Sequence, residues 1–289
     1  MKSATMLTRT ALKSFPLPPV DDGDKHSHGQ LLIVAGTSSL PGAAILCATA
    51  AMRAGTGKLK IATVSSVAAA VGAAMPESKT VGMDEDPDGG FAASAVQAVA
   101  ALATDVDAVV AGPGMSEGPT CEALAAALLR SEAATALDAG VLRSLAPVEA
   151  SARSARHTPV LLPHAGELAA LLGCEEGDVE DDPIGCGSRC AERYDAITLV
   201  KGATSHVVTP DGRTWTYSGG APGLGVSGSG DTLAGIVGGL LARGADPLTA
   251  LLWGVLLHGE AGEALARKVG PVGFLAREIP GEIPALLER

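Results

Sequence analysis

The sequence predicts a single α/β domain in which helices flank a mostly parallel central sheet. Three observations carry this reading. Short, wholly apolar runs of strand length alternate with Ala- and Leu-rich runs of helical length, the β-helix-β pattern of a parallel sheet with right-handed crossovers. Glycines or polar residues recur just after those strand-like runs, at the edge where such sheets bind ligands. No low-complexity linker or internal repeat divides the 289 residues, so 1–289 reads as one domain, with 1–28 a partly irregular lead-in.

The elements follow in order. The lead-in holds Pro16, Pro18 and Pro19 and the polar run 21–25. Residues 31–35 form a buried strand, 36–42 a turn, 43–54 an Ala-rich helix stopped at Gly55, and 58–64 the next strand. Residues 76–90, the most polar interior stretch, read as a surface loop. Helix 92–103 leads to strand 107–111, which runs into Gly112, Pro113 and Gly114. Helix 117–130, strand 134–138 and the short strand 159–162 come next. The turn 163–167 (PHAGE) opens a helix over 168–172, and 182–194 reads as helical. Strand 197–200 runs into Lys201 and Gly202. Residues 205–209 and 213–217 pair as a hairpin about Pro210, Asp211 and Gly212. Helices 232–242 and 247–269 and a shorter helical tail ending at 289 complete the chain.

Composition narrows the function. Hydrophobic residues make up 47% of the chain and aromatics 2%. That supports a core of small, tightly packed side chains and leaves few platforms for stacking bases. The net charge of −11 and the absence of a Lys/Arg block argue against nucleic acid and anionic membranes as partners. No apolar run has the length of a membrane span, and the first nine residues do not read as a signal peptide. Five scattered cysteines do not form a disulfide framework and suit a reducing, cytoplasmic setting. Cys186 and Cys190 lie four apart, but no second Cys/His pair accompanies them, so they read as structural rather than metal-binding.

The most informative segment is GVSGSGDTLAG at 225–235. Gly228 and Gly230, with the small Ser229 between them, allow bare backbone to approach a ligand. The apolar run behind them reads as a helix whose N-terminal amides and dipole favour an anion. Asp231 in such a turn suits a base that deprotonates a hydroxyl beside a phosphoryl group. The competing reading is a plain Gly-rich loop with Asp231 as the helix N-cap.

Gly36, Gly114, Asp138, His164 and Lys201 each follow a predicted strand end, so residues distant in sequence would line one crevice. Each also has an ordinary alternative. Asp138 and His164 could cap helices, Glu167 could complete a capping box, and Lys201 could be an edge-strand charge. His26, His28 and His206 read as solvated, and His258 and Trp253 as core.

These segments together resemble the ADP/ATP-dependent NAD(P)H-hydrate dehydratase family of the ribokinase-like superfamily. The resemblance rests on 29–36 followed by GAA at 42–44, AMRAGTG at 51–57, AGPG at 111–114 and LDA at 137–139. It continues through PHAGE at 163–167, VKGA at 200–203, GSGD at 228–231 with LAG at 233–235, and LHG at 257–259. It implies a three-layer α/β/α fold and repair of hydrated NADH or NADPH at the expense of ADP or ATP, with Mg²⁺ accompanying the nucleotide. By matched position, Ala43, Gly114, His164 and Asp231 would contact the hydrate. Lys201, Gly202, Ala203, Thr204, Ser205, Gly228, Ser229 and Gly230 would contact the adenine nucleotide. Asp138 and Glu167 would stand behind them, and no protein ligand to a metal is assigned. A homotetramer and functional pairing with a separate NAD(P)H-hydrate epimerase are further implications. The chain departs from the family pattern at Leu162, at the 138–140 turn and in the loop 37–41, all toward the hydrate end. A small-molecule kinase of the same superfamily, such as a hydroxyethylthiazole kinase, and a nucleotide-binding regulator without turnover remain alternatives.

Overall fold

A computed structural model describes residues 4–19 and 28–287. Its strands are β1 (Thr5–Met6), β2 (Gln30–Val34), β3 (Lys58–Val64), β4 (Ser78–Met83), β5 (Ala108–Ala111), β6 (Ala134–Leu137), β7 (Val160–Leu161), β8 (Ile197–Val200), β9 (Ser205–Val208) and β10 (Thr214–Tyr217). They form one ten-stranded sheet in the order β1-β10-β9-β8-β7-β6-β5-β2-β3-β4. From β8 through β4 every pairing is parallel; β9 and β10 add an antiparallel hairpin, and β1 pairs parallel to β10.

The helices are α1 (Arg9–Leu12), α2 (Pro41–Arg53), α3 (Ser65–Ala74), α4 (Ala95–Leu102), α5 (Pro119–Leu129), α6 (Ala139–Arg143), α7 (Glu149–Arg153), α8 (Ala165–Leu172), α9 (Glu176–Asp181), α10 (Pro183–Tyr194), α11 (Ser229–Ala242), α12 (Pro247–Lys268) and α13 (Ile279–Leu287). Side-chain alternation along the central strands sends Leu31 and Ile33 to one face and Leu32 and Val34 to the other, and all four are fully buried. The first face is covered by α2, α11, α12 and α13, the second by α4, α5, α6, α8 and α10, which gives three layers.

Several elements differ from the sequence reading. The expected loop 76–90 contains the edge strand β4, with the half-exposed alternation of an edge. Helix α3 follows β3 directly with no turn residue between, which hid it. The described lead-in is built into the fold: β1 joins the sheet, the Arg9 guanidinium forms a forked ion pair with Glu260 on α12, and Trp253 Nε1 donates to the Phe15 carbonyl at 2.7 Å. His206 is buried rather than solvated, with its Nδ1 3.0 Å from Thr216 Oγ1 across the hairpin, and burial lowers its pKa. His28 is half-buried, and His26 lies outside the described residues, as do the last two residues of the expected tail. Trp253 is only partly buried against the core.

The contact of α11 with α2 positions the crevice. A Cβ on Gly235 would lie 2.1 Å from the Cys47 carbonyl oxygen, and one on Gly239 would lie 2.7 Å from that of Ala51. Two glycines one turn apart thus let the helices approach to backbone contact and set where α11 begins.

Candidate active site

The strand ends are joined to one another in sheet order. Gly36 N–H donates to the Pro113 carbonyl at 2.8 Å, Asp138 N–H to Ala111 at 3.0 Å, Leu162 N–H to Leu137 at 3.1 Å, and Lys201 N–H to Pro163 at 2.9 Å. The residues predicted to share an edge therefore do. At the β2/β5 end, Ala43 sits in the first turn of α2, and a Cβ on Gly114 (φ +66°) would come within 2.6 Å of the Ala43 Cβ. No side chain larger than glycine's fits at 114 without displacing α2.

At the β6–β8 end lies a buried charge cluster. Lys201 Nζ bonds Asp138 Oδ1 at 2.8 Å and lies 3.8 Å from Glu167 Oε2. Asp138 and Glu167 are both buried. Burial works against the Lys201 ammonium, but Asp138 and then Glu167 outweigh it and hold its pKa above the ordinary lysine value. Asp138 adopts N-cap backbone geometry at α6 but makes no capping bond with its side chain, because the carboxylate turns to Lys201.

The 225–231 turn meets this cluster at Lys201. Helix α11 begins at Ser229, three residues before its expected start, with Gly228 (φ +88°) at the N-cap. Asp231 is therefore in the first turn and is not the N-cap. The Ser229 N–H donates to the Val226 carbonyl at 3.1 Å, and the Thr232 N–H to Gly228 at 3.1 Å. Among the described residues the N–H groups of Gly230 and Asp231 have no protein partner, so they are the donors the turn can offer a ligand. A Cβ on Gly230 would lie 3.7 Å from Lys201 Nζ, which places the lysine beside the turn. Burial, then the Asp138 charge, push the Asp231 pKa up to about 6, against a smaller lowering by Lys201. A carboxylate so placed is poised to take a proton near neutral pH.

His164 is the N-cap of α8. Its Nδ1 accepts from Gly166 N–H at 3.1 Å and Glu167 N–H at 3.4 Å, and Glu167 Oε2 accepts from the His164 N–H at 3.0 Å. The capping box is formed, while 57% of the His164 side chain stays exposed. Gly202, Ala203 and Thr204 form an exposed loop between β8 and β9, and Ser205 opens β9. His258, expected as a satisfied core residue, is hydrogen-bonded but only half-buried, and its partner is Ser229 of the turn, with Nε2 3.1 Å from both Oγ and the carbonyl oxygen. Sequence reasoning missed that link; the signal was an ionisable residue on the apolar helix at LHG 257–259. Cys186 and Cys190 are free thiols, and no cluster of metal-ligating side chains occurs among the described residues.

The family model for NAD(P)H-hydrate dehydratase matches residues 31–285. An ADP-dependent (S)-NAD(P)H-hydrate dehydratase of Xanthomonas campestris pv. campestris is 46% identical over 286 residues, covering 98% of this chain and 96% of that protein. A bifunctional NAD(P)H-hydrate repair enzyme of Moorella thermoacetica is 34% identical over 92% of this chain, which spans 50% of that longer protein. In fold, the chain superposes with a TM-score of 0.85, at 24% identity and 100% and 99% coverage of the two chains, on an ADP/ATP-dependent NAD(P)H-hydrate dehydratase from Bacillus subtilis crystallised with ATP/Mg²⁺. A hydroxyethylthiazole kinase from Pyrococcus horikoshii superposes less well, with a TM-score of 0.62 at 17% identity over 90% and 89%.

Proposed function

The chain belongs to the NAD(P)H-hydrate dehydratase family, and from that premise we propose that its strand-end crevice removes water from hydrated NADH or NADPH using ADP or ATP. The observation that carries the reading is the uncapped first turn of α11, with a carboxylate of raised pKa inside it.

Hydroxide is a poor leaving group and phosphate a good one. Asp231 takes the proton of the hydrate hydroxyl, and the oxygen attacks the terminal phosphorus, releasing AMP from ADP or ADP from ATP. The Gly230 and Asp231 amides receive the phosphoryl oxygens in flight. The ring-nitrogen lone pair then expels phosphate from the adjacent carbon, and loss of a ring proton restores the reduced nicotinamide. Ala43, Gly114 and the exposed ring of His164 form the hydrate side. Lys201, Gly202, Ala203, Thr204, Ser205, Gly228, Ser229 and Gly230 form the nucleotide side, with Asp138 and Glu167 holding Lys201 in place.

Mg²⁺ would screen the phosphate charge. Asp138 and Glu167 are already engaged by Lys201, and Mg²⁺ favours phosphates and retained waters over an all-protein cage. The nucleotide itself is therefore the fitting holder of the ion. We also read the chain as a cytoplasmic homotetramer that works beside a separate epimerase. Light scattering tests the assembly.

The activity test mixes the protein with hydrated NADH, ADP or ATP and Mg²⁺. Return of the reduced-nicotinamide absorbance is expected. Phosphorylation of a small alcohol without that return would instead assign the chain to the kinases, and nucleotide binding with neither activity would mark a regulator.

A further inference from the structure

The first turn of α11 needs an anchor. Gly228 and Gly230 give it freedom to reach a ligand, and the same freedom costs order: glycine loses more conformational entropy on fixing than any other residue. The turn meets the Leu46 side chain of α2 at Gly228, but approach to the α2 backbone begins only at Gly235. Within the turn, two side-chain contacts converge on one atom, the Ser229 carbonyl oxygen. Thr232 Oγ1 donates to it at 2.7 Å from the same helix, and His258 Nε2 reaches it at 3.1 Å from α12. The same Nε2 lies 3.1 Å from Ser229 Oγ. A carbonyl only accepts, so a hydrogen bond to it requires the Nε2–H form, in which the one hydrogen is shared between the carbonyl and Oγ.

We propose that His258 is a positioning residue for the phosphate-receiving turn: by fixing the Ser229 carbonyl and hydroxyl from α12, it holds the Gly230 and Asp231 N–H groups toward the ligand. The inference rests on the reading of that turn as the nucleotide site. It extends the reading to a residue that touches neither substrate. His258 joins α12 to the residue immediately before Gly230, which a core histidine serving packing alone would have no reason to do. Burial pushes its pKa down to about 4, against a smaller raising by the Ser229 backbone, so the ring is neutral across the working range and the contact does not switch with pH.

The test uses the full chain with His258→Phe, which keeps a flat ring and removes the donor, and His258→Gln, whose amide nitrogen reaches near the Nε2 position. His258→Phe should raise the Kd for ADP and the nucleotide KM about tenfold, the scale of one lost hydrogen bond, while the hydrate KM stays within about twofold. His258→Gln should recover most of the loss. Hydrogen exchange of the peptide covering 226–233, measured without nucleotide, should be about tenfold faster in His258→Phe and near wild type in His258→Gln. This last measurement stands even if the turn binds something other than a nucleotide. If both variants lose melting temperature alike while turn exchange and nucleotide KM match wild type, His258 is a packing residue and the proposal is overturned. If exchange rises as expected but wild-type protein binds neither ADP nor ATP, the positioning role survives and the nucleotide reading fails.

Discussion

Two helices, α8 and α11, begin at the same crevice and do opposite things with their first amides. The α8 start is closed by its own sequence: His164 Nδ1 takes the Gly166 and Glu167 N–H groups, and Glu167 returns a carboxylate oxygen to the His164 N–H. The α11 start has glycine at the N-cap, no capping side chain, and two uncommitted donors at Gly230 and Asp231. Both present an N-terminal dipole end to the crevice, from opposite faces of the sheet. The difference lies in whether the orphan donors are satisfied from within. A capped start is architecture, and an uncapped one held by neighbouring helices is a binding surface. Changes at α11 should therefore fall on chemistry and nucleotide, and changes at α8 on stability and the hydrate side.

The largest effect should come from Asp231→Asn, which removes the base. Turnover should fall by about two to four orders of magnitude with nucleotide binding close to normal. The same variant should be more stable at pH 8. The folded pKa of Asp231 is raised to about 6, so its ionisation opposes folding, a cost absent below the unfolded carboxylate range and complete above pH 6. Removing it should gain on the order of 1–2 kcal/mol at pH 8, allowing for its partial exposure, and nothing near pH 3.5. Melting curves at the two pH values check this. In wild type, kcat should decline below about pH 6 as Asp231 protonates. An Asp231→Asn enzyme within tenfold of wild type would remove the chemistry from α11 and end the contrast.

Lys201→Ala comes next. It should raise the nucleotide KM, and it should also leave the buried Asp138 carboxylate without its ion-pair partner, at a cost of about 3 kcal/mol. Pairing it with Asp138→Asn should return part of that stability and none of the nucleotide affinity. Stability recovered together with affinity would mean that Lys201 acts only through the cluster.

Gly228→Ala should be smaller. It strains a φ of +88° by about 1–2 kcal/mol and would set a Cβ 2.4 Å from Leu46 Cδ1, tilting the open turn. The nucleotide KM should rise while the hydrate KM changes less, and equal rises would place the turn between both ligands.

His164 gives the finest discrimination. His164→Ala should lose about 1 kcal/mol of stability with the cap. His164→Asn should restore the cap, since Asn is a strong N-cap residue, but not the exposed ring. A raised hydrate KM in both variants supports contact with the hydrate. A wild-type KM in His164→Asn returns His164 to capping alone and moves the hydrate side elsewhere on the edge.

The same contrast explains what the sequence made legible. Strands β2, β5 and β8 are buried on both faces and read as runs that are apolar but for Gln30 and Thr198, which leaves their ends, and the residues that follow, with little ambiguity. Strand β4 alternates half-exposed residues around Lys79 and passed for loop. Strand β1 is two residues long and exists only because β10 is there to pair with it, which no local pattern announces. In the site, the strand-end residues were legible one by one, but the Asp138–Lys201 pair spans β7 in space and 63 positions in sequence. The helix start at Ser229 was misplaced because Gly228 takes a left-handed conformation that a chain of small residues does not betray.

The pairing of β1 with β10 also bears on the order in which a ribosome can finish the molecule. Thr5 and Met6 wait for Trp215 and Thr216, about 210 residues later. At roughly 5–20 residues per second that is about 10–40 s of synthesis. Arg9 must wait longer still, for Glu260. Meanwhile β2, β3 and β5 meet their partners within eighty residues of one another. The beginning of the chain is thus among the last parts to be seated, and protection of the exposed Lys13 from brief tryptic cleavage would time the moment when a nascent chain becomes a finished one.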